Sequence, residues 1–299
     1  MYGSGITSET RDQAMTLRRL AGSPVVPLRT RRERAIAVTG GKGGVGKSTV
    51  ALNLAAAYAR LGAQPLAVDT DLGMADLNLL LGVAPRLSLH DVARGHPIDE
   101  ILVEAHGIHL LPALNGSDAL ESMSPETRQR IFTAIESLNH RFDTLIIDIA
   151  AGIGQNQTVF AGAVPDTLIV ATPEPLSLAD AYSCIKVLAL RQGLTHAFIV
   201  PNQVRAPGDA EEVVSRLSAL VGRFLDVSLT ALPAIPYDAS VQQCAESGIP
   251  LLIAEPDRPA SRAIRRLARR LDTLSLPDER EGVVRLFWKR ALAAVEAIK

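Results

Sequence analysis

The chain has 299 residues, 47% of them apolar and 21% charged, with a formal net charge of −1. That is enough chain for one large or two small globular domains, and the charge balance excludes bulk attraction to a polyanion as the basis of function. No apolar run reaches the length of a membrane span, Met1-Tyr2-Gly3-Ser4-Gly5 does not open an export signal, and Cys184 and Cys244, outside any C-x-x-C pattern, read as buried thiols of a reducing cytosol.

Residues 7–21 are patterned as a short helix. Gly22-Ser23-Pro24 and the arginine-rich Arg29-Thr30-Arg31-Arg32-Glu33-Arg34 follow, so residues 1–33 read as a tail. The core opens with Ala35–Thr39, an apolar run expected to be a buried strand. Gly41-Lys42-Gly43-Gly44-Val45-Gly46-Lys47-Ser48 then fits G-x-x-x-x-G-K-[ST], a phosphate-binding loop. Ser48 to Ala59 is patterned as a helix, with Thr49 in its first turn and Gly62 ending it. In such a strand–loop–helix unit the glycines turn backbone N–H groups inward around phosphate oxygens, and the helix start adds its positive dipole end. Lys47 is expected to neutralise the β- and γ-phosphates of ATP and the Ser48 hydroxyl to ligate Mg²⁺. Lys42 is an additional lysine directly after the first glycine.

Further strands are expected at Pro65–Asp69, His109–Pro112, Thr144–Asp148, Thr167–Thr172, Ala197–Pro201 and Leu232–Ile235. Helices fill most gaps, among them Ser124–Asn139 with Ser124 as cap and Pro125 at the first helical position. This alternation predicts a three-layer α/β fold of the P-loop NTPase type, a mainly parallel twisted sheet covered by helices on both faces. Ligands of such sheets bind beyond the carboxyl ends of the strands. Candidate site carboxylates stand there. In Asp69-Thr70-Asp71, Asp71 would hold or polarise an attacking water and Asp69 would order the Mg²⁺ shell. Asp148 ends the strand Leu145-Ile146-Ile147-Asp148 as a second metal-site carboxylate, and Ala150-Ala151-Gly152 forms a compact loop able to sense a γ-phosphate.

Near the end, Ser261–Leu274 is amphipathic, with Ile264, Leu267, Ala268 and Leu271 facing in and Arg262, Arg265, Arg266, Arg269 and Arg270 facing out. No aromatics interleave with the arginines, so a solvated basic face is expected rather than a DNA surface. The stretch 275–282 breaks the chain, and residues 276–299 carry a last helix, Val283–Ile298. Val284, Phe287, Trp288, Ala291 and Val295 form its apolar face, which fits a membrane interface with Trp288 at the headgroups, or packing on the domain, or both as states of one switch.

The loop with Lys42, the Asp69-Thr70-Asp71 strand end and Asp148-Ile149-Ala150-Ala151-Gly152 together resemble the MinD/ParA branch of P-loop ATPases, over residues 34–275. The resemblance implies Mg²⁺-dependent ATP hydrolysis by a homodimer that sandwiches two ATP molecules, with Lys42 reaching the partner's nucleotide. It further implies that Asn202 reads the adenine and that Pro236, Tyr237 and Asp238 lie near the base. Within that family, Asp71-Leu72-Gly73, Ala150-Ala151-Gly152-Ile153-Gly154, Pro173-Glu174-Pro175 and Asp180-Ala181-Tyr182 with Ile185-Lys186 are similar to the FlhG/FleN group. So is Asp12-Gln13-Ala14-Met15-Thr16-Leu17-Arg18 in the tail. The similarity implies an ATP-driven spatial switch that regulates flagellar number or placement, cytoplasmic and peripheral on the anionic inner face of the cell membrane. Asp12, Gln13, Ala14, Leu17 and Arg18 would contact an FlhF-type GTPase of the signal-recognition-particle class. Flagellar switch or basal-body proteins and a flagellar transcription regulator are the further partners implied. Ile149 stands where a threonine is usual, and Asp76 and Asn78 stand where asparagine and aspartate are usual. A ParA-type partition ATPase acting on DNA is the alternative, and the lack of paired cysteines disfavours an iron–sulfur carrier.

Overall fold

The computed structural model describes residues 33–70, 77–112, 124–139, 141–274 and 282–296. Among them nine strands form one sheet: β1 Arg34–Thr39, β2 Pro65–Asp69, β3 Val103–Ala105, β4 Ile108–Leu111, β5 Thr144–Asp148, β6 Asp166–Ala171, β7 His196–Val204, β8 Ser228–Ala231 and β9 Ile235–Pro236. The spatial order is β3-β4-β2-β5-β1-β6-β7-β8, with β9 added beside β7, and every pairing is parallel except β3 with β4. All residues of β1, β2, β5 and β6 are buried, as strands covered on both faces require. The β3–β4 hairpin turns through His106 and Gly107, both at positive φ, the combination that suits a two-residue turn.

One expected strand is displaced. Leu232–Ile235 is not a strand; β8 ends at Ala231 and β9 begins at Ile235. Pro233 has no N–H to offer a ladder, so pairing stops after the Leu232 N–H reaches the Ile199 carbonyl at 2.9 Å. The short strands β3 and β8 were not expected, because Val-Glu-Ala and Ser-Leu-Thr-Ala carry too little apolar signal.

The helices are α1 Lys47–Arg60, α2 Leu77–Leu80, α3 Leu89–Ala93, α4 Ile98–Ile101, α5 Pro125–Glu136, α6 Gln155–Gly162, α7 Pro175–Gln192, α8 Asp209–Phe224, α9 Ser240–Glu246, α10 Leu251–Ala254, α11 Pro259–Leu274 and α12 Val283–Glu296. Ser124 caps α5 as expected, accepting the Thr127 N–H with Pro125 at the start. One hydrophobic layer joins the sheet to α1, α2, α9, α10 and α11, and the other joins it to α3–α8 and α12. Every residue of α1 from Val50 to Tyr58 is buried, and its alanines let it fit closely between the sheet and α11. A polar tie closes that layer. Arg34 Nη1 donates to Tyr58 Oη at 2.6 Å, Tyr58 Oη donates to the Ala268 carbonyl at 3.4 Å, and Arg34 Nη2 pairs with Asp272 at 2.8 Å.

On the opposite layer α12 lays Val284, Phe287, Trp288 and Ala291 into the core, against Phe160, whose ring centroid lies 6.1 Å from Phe287 and 6.3 Å from Trp288. The residues expected to face a membrane are therefore covered in this conformation, because the sheet face beneath offers them an apolar seat. Val295 belongs to the helix, but its side chain lies outside the described residues. Glu33 accepts the Val283 N–H at 2.8 Å and Arg285 pairs with Glu136 at 3.0 Å. The seat leaves a defect: the buried Nε1 of Trp288 has no hydrogen-bond partner among the described residues. Among the described residues no helix is long and apolar enough to cross a membrane.

Candidate functional site

The loop between β1 and α1 is shaped by its neighbours. A Cβ on Gly41 would run into the backbone carbonyl of Asp180 in α7, so only glycine lets the loop pass there. Gly46 sits at φ 92° directly before α1, and a Cβ there would come within 2.5 Å of Asn202 Nδ2. At Gly43 and Gly44 a Cβ would meet nothing within 4 Å. The loop is thus tight where it touches protein and open where a ligand would lie. α1 has no side-chain cap and no acidic residue in its first turn, which leaves its N-terminus suited to an anion.

A cavity of about 610 Å³ opens over this loop. Gly43, Gly44, Gly46, Lys47, Ser48 and Thr49 form one end, with Asp148, Ile149, Ala150 and Ala151 beside them. Asn202, Pro236, Tyr237 and Asp238 also line the cavity, and Ile235, Leu251, Ala260 and Ile264 supply an apolar wall. Lys47 is buried and donates to the Lys42 carbonyl at 3.2 Å, so its ammonium lies folded over the loop. The cradle of open glycines, the lysine, two hydroxyls and the Asp148 carboxylate are the donor and acceptor set that a nucleotide phosphate with Mg²⁺ requires.

Four of the expected site residues stand apart from the cavity. Val45 is buried in the core, and Gly41 packs under α7. Asp69 accepts the Leu77 N–H on Oδ2 at 3.1 Å, anchoring the start of α2, and does not line the cavity. Lys42 also points away from it and pairs with Glu174 Oε2 at 2.6 Å within the same chain. Both partners are substantially exposed, so the pair contributes about 1 kcal/mol at most. Asp71 and the tail residues Asp12, Gln13, Ala14, Leu17 and Arg18 lie outside the described residues, as does Asp76.

Asn202 has a different contact from the one expected. Its Nδ2 donates to the Val45 carbonyl at 2.7 Å, and the neighbouring Gln203 donates to the Gly44 carbonyl at 3.1 Å. Gln203 adopts φ 58°, unusual outside glycine, where β7 and β9 shift register. The bulge aims two successive amides at the loop. Asp238 is held by Arg258 and by the Ser240 N–H, which keep its carboxyl below the usual range, Arg258 contributing most. Sequence reasoning missed Gln203, Gln242 and Arg258. None sits in a recognisable spacing, because each acts across a fold contact. Cys184 and Cys244 are buried free thiols in separate helices.

A family model described as ParA, NUBPL iron-transfer P-loop NTPase, matches residues 31–272. The chain belongs to the MinD/ParA family of P-loop ATPases, and its reaction is ATP hydrolysis. It is 36% identical over 259 residues to the antiactivator FleN of Pseudomonas aeruginosa, covering 86% of this chain and 92% of that one. It is 29% identical to the flagellum site-determining protein YlxH of Helicobacter pylori, covering 86% and 89%. The solved structure of septum site-determining MinD from Pyrococcus horikoshii, complexed with Mg-ADP, superposes with a TM-score of 0.65 at 28% identity, covering 81% and 97%.

Proposed function

We propose that this ATPase is a nucleotide-driven spatial switch of the FlhG/FleN kind, which dimerises on ATP, docks peripherally on the inner membrane face and regulates flagellar number or placement. Lys42 is the observation that carries the reading. It belongs to the phosphate loop, yet lies off the cavity that its neighbours line, and among the described residues its ammonium is held by a weak exposed pair with Glu174. A lysine not used on its own chain's nucleotide, and cheaply released, suits a role across a subunit interface. The likeness to FleN and YlxH supports the flagellar setting.

Lys47 would hold the phosphates in the cavity. Ser48 and Asp148 would hold Mg²⁺, with Asp69 behind them, and the metal supplies charge neutralisation at the phosphates when bound. Asp71 would orient the attacking water. The tail residues 12–18 would engage an FlhF-type GTPase. α12 would carry the membrane contact once it leaves its seat: Trp288, whose indole N–H finds no acceptor in the core, would find one among headgroups and water.

The experiment is size-exclusion chromatography and co-sedimentation with anionic vesicles, with and without Mg-ATP. Wild type is expected to dimerise and to bind vesicles in ATP. Lys42→Ala is expected to bind ATP by calorimetry yet stay monomeric and in the supernatant. Equal ATP-driven dimerisation of the two proteins would overturn the role of Lys42, and wild type that ignores vesicles would overturn the membrane reading.

A further inference from the structure

Among the described residues, Asn202, Gln203, Tyr237, Asp238 and Gln242 also line the cavity, and each is already engaged, the Tyr237 ring beneath the Arg205 guanidinium at 3.6 Å. Asn202 and Gln203 donate to loop carbonyls, and Gln242 Nε2 donates to Glu246 Oε1 at 3.1 Å. Asp238 is the most tightly held. Arg258 donates from Nε to both carboxylate oxygens at 3.2 Å and from Nη2 to Oδ1 at 2.7 Å, and the Ser240 N–H reaches Oδ1 at 3.1 Å. The Asp238 side chain is only 2% exposed. Among the described residues the other carboxylate lining the cavity is Asp148, which stands level with Val38 at the carboxyl end of β5, beside the phosphate loop. That leaves Asp238, of the described carboxylates, for the base.

Purines differ most at the edge such a carboxylate would read. Guanine presents two adjacent donors, its ring N–H and its exocyclic amine, which a carboxylate with free oxygens grips through two parallel charge-assisted bonds. Adenine has an acceptor nitrogen where guanine has the ring N–H, and gains nothing from a carboxylate there. With Oδ1 of Asp238 taken by three donors and Oδ2 by one, the two-oxygen grip is closed to guanine, and one of its two donors loses water without replacement.

We propose that Arg258 is a specificity-determining residue: by saturating Oδ1 of Asp238 and sharing Oδ2 it withholds the two-oxygen grip that guanine needs, and so keeps the cavity selective for adenine nucleotides. Arg258 does not line the cavity and acts through Asp238, as a positioning residue. The inference rests on the cavity being the nucleotide site. A plain structural tie between Asp238 and the residue before α11 would affect all nucleotides alike, so the ratio of affinities separates the two roles.

The test is calorimetric titration of the full chain with Mg-ATP and Mg-GTP. Wild type is expected to prefer ATP. Arg258→Met is expected to improve GTP relative to ATP by about tenfold, and Arg258→Lys, which replaces the fork by one ammonium, to improve it by less. Adding Asp238→Asn to Arg258→Met should remove the gain, because the carboxylate is gone. An unchanged ratio in folded Arg258→Met, or a gain that survives Asp238→Asn, overturns the proposal. If Arg258→Met does not fold, Arg258→Gln, which can cover only one oxygen, is expected to show a smaller gain, and its absence overturns the proposal equally. Wild type that binds neither nucleotide would instead mean that the cavity is not the nucleotide site.

Discussion

The amphipathic helices α11 and α12 are alike in sequence and differ in how they are held. Each turns an apolar face to one side of the same sheet. The polar groups around α11 are matched: Ser261 Oγ donates to the Glu255 carbonyl at 2.7 Å, Tyr58 reaches the Ala268 carbonyl, and Arg34 pairs with Asp272. α11 also lends Ala260 and Ile264 to the wall of the cavity over the phosphate loop. Around α12 the indole N–H meets no acceptor among the described residues, while Glu33 accepts the Val283 N–H and Arg285 pairs with Glu136 at the surface. Apolar periodicity tells which face goes inward. The accounting of polar groups tells how firmly it stays there.

The largest test of this contrast is Leu267→Ala in α11. Leu267 is fully buried, so its truncation is expected to cost about 2–5 kcal/mol in denaturant unfolding and to weaken ATP binding, since the cavity wall moves with the helix. A loss below about 1 kcal/mol would show that α11 is no more integral than α12.

The next effect concerns pH. Burial against α11 holds the Tyr58 phenol well above its ordinary range, with the nearby Arg34 opposing in part. An unfolded tyrosine ionises near pH ~10, so above that value the unfolded chain releases the proton first. Stability from this group is complete below pH ~10 and is lost as pH rises further, with a slope of at most about 1.4 kcal/mol per pH unit. Urea unfolding between about pH 9 and 11 should show this fall in wild type and a shallower one in Tyr58→Phe. Identical slopes would remove Tyr58 from the account.

The smallest effect sharpens the other side. Trp288→Phe keeps an aromatic ring in the seat and removes the N–H that finds no acceptor. The relief outweighs the smaller ring's lost contact, for a net tightening of roughly 0.5–1 kcal/mol. Hydrogen exchange across α12 should slow, and ATP-driven vesicle binding should fall. Faster exchange would mean that packing of the larger ring, rather than its unmet N–H, governs the helix.

Much of the site was legible because it is local. The loop, its strand and its helix are one continuous stretch, and strand-end Asp148 follows from an apolar run closing on a carboxylate. The strand core was legible for the same reason: runs buried on both faces are apolar throughout. The edges were not, because β3 and β8 need few apolar residues, and Pro233 splits a run that composition alone would join. What Asn202, Asp69 and Asp238 touch was also beyond the sequence. Asn202 meets Val45, Asp69 meets Leu77 and Asp238 meets Arg258, and no spacing rule links those positions. The membrane face of α12 shows the same limit: its pattern suits lipid and protein equally, and only the fold reveals a seat.

Asn202 and Gln203 have one further consequence. By tying the carbonyls of Val45 and Gly44, they hold those two peptide groups of the loop in one orientation before a nucleotide arrives. Little ordering is then left for the moment of binding. Association can run at the pace set by diffusion and orientation, and differences between ATP and ADP fall on how long each remains. A loop shaped in advance moves the timing of the switch from entry to exit.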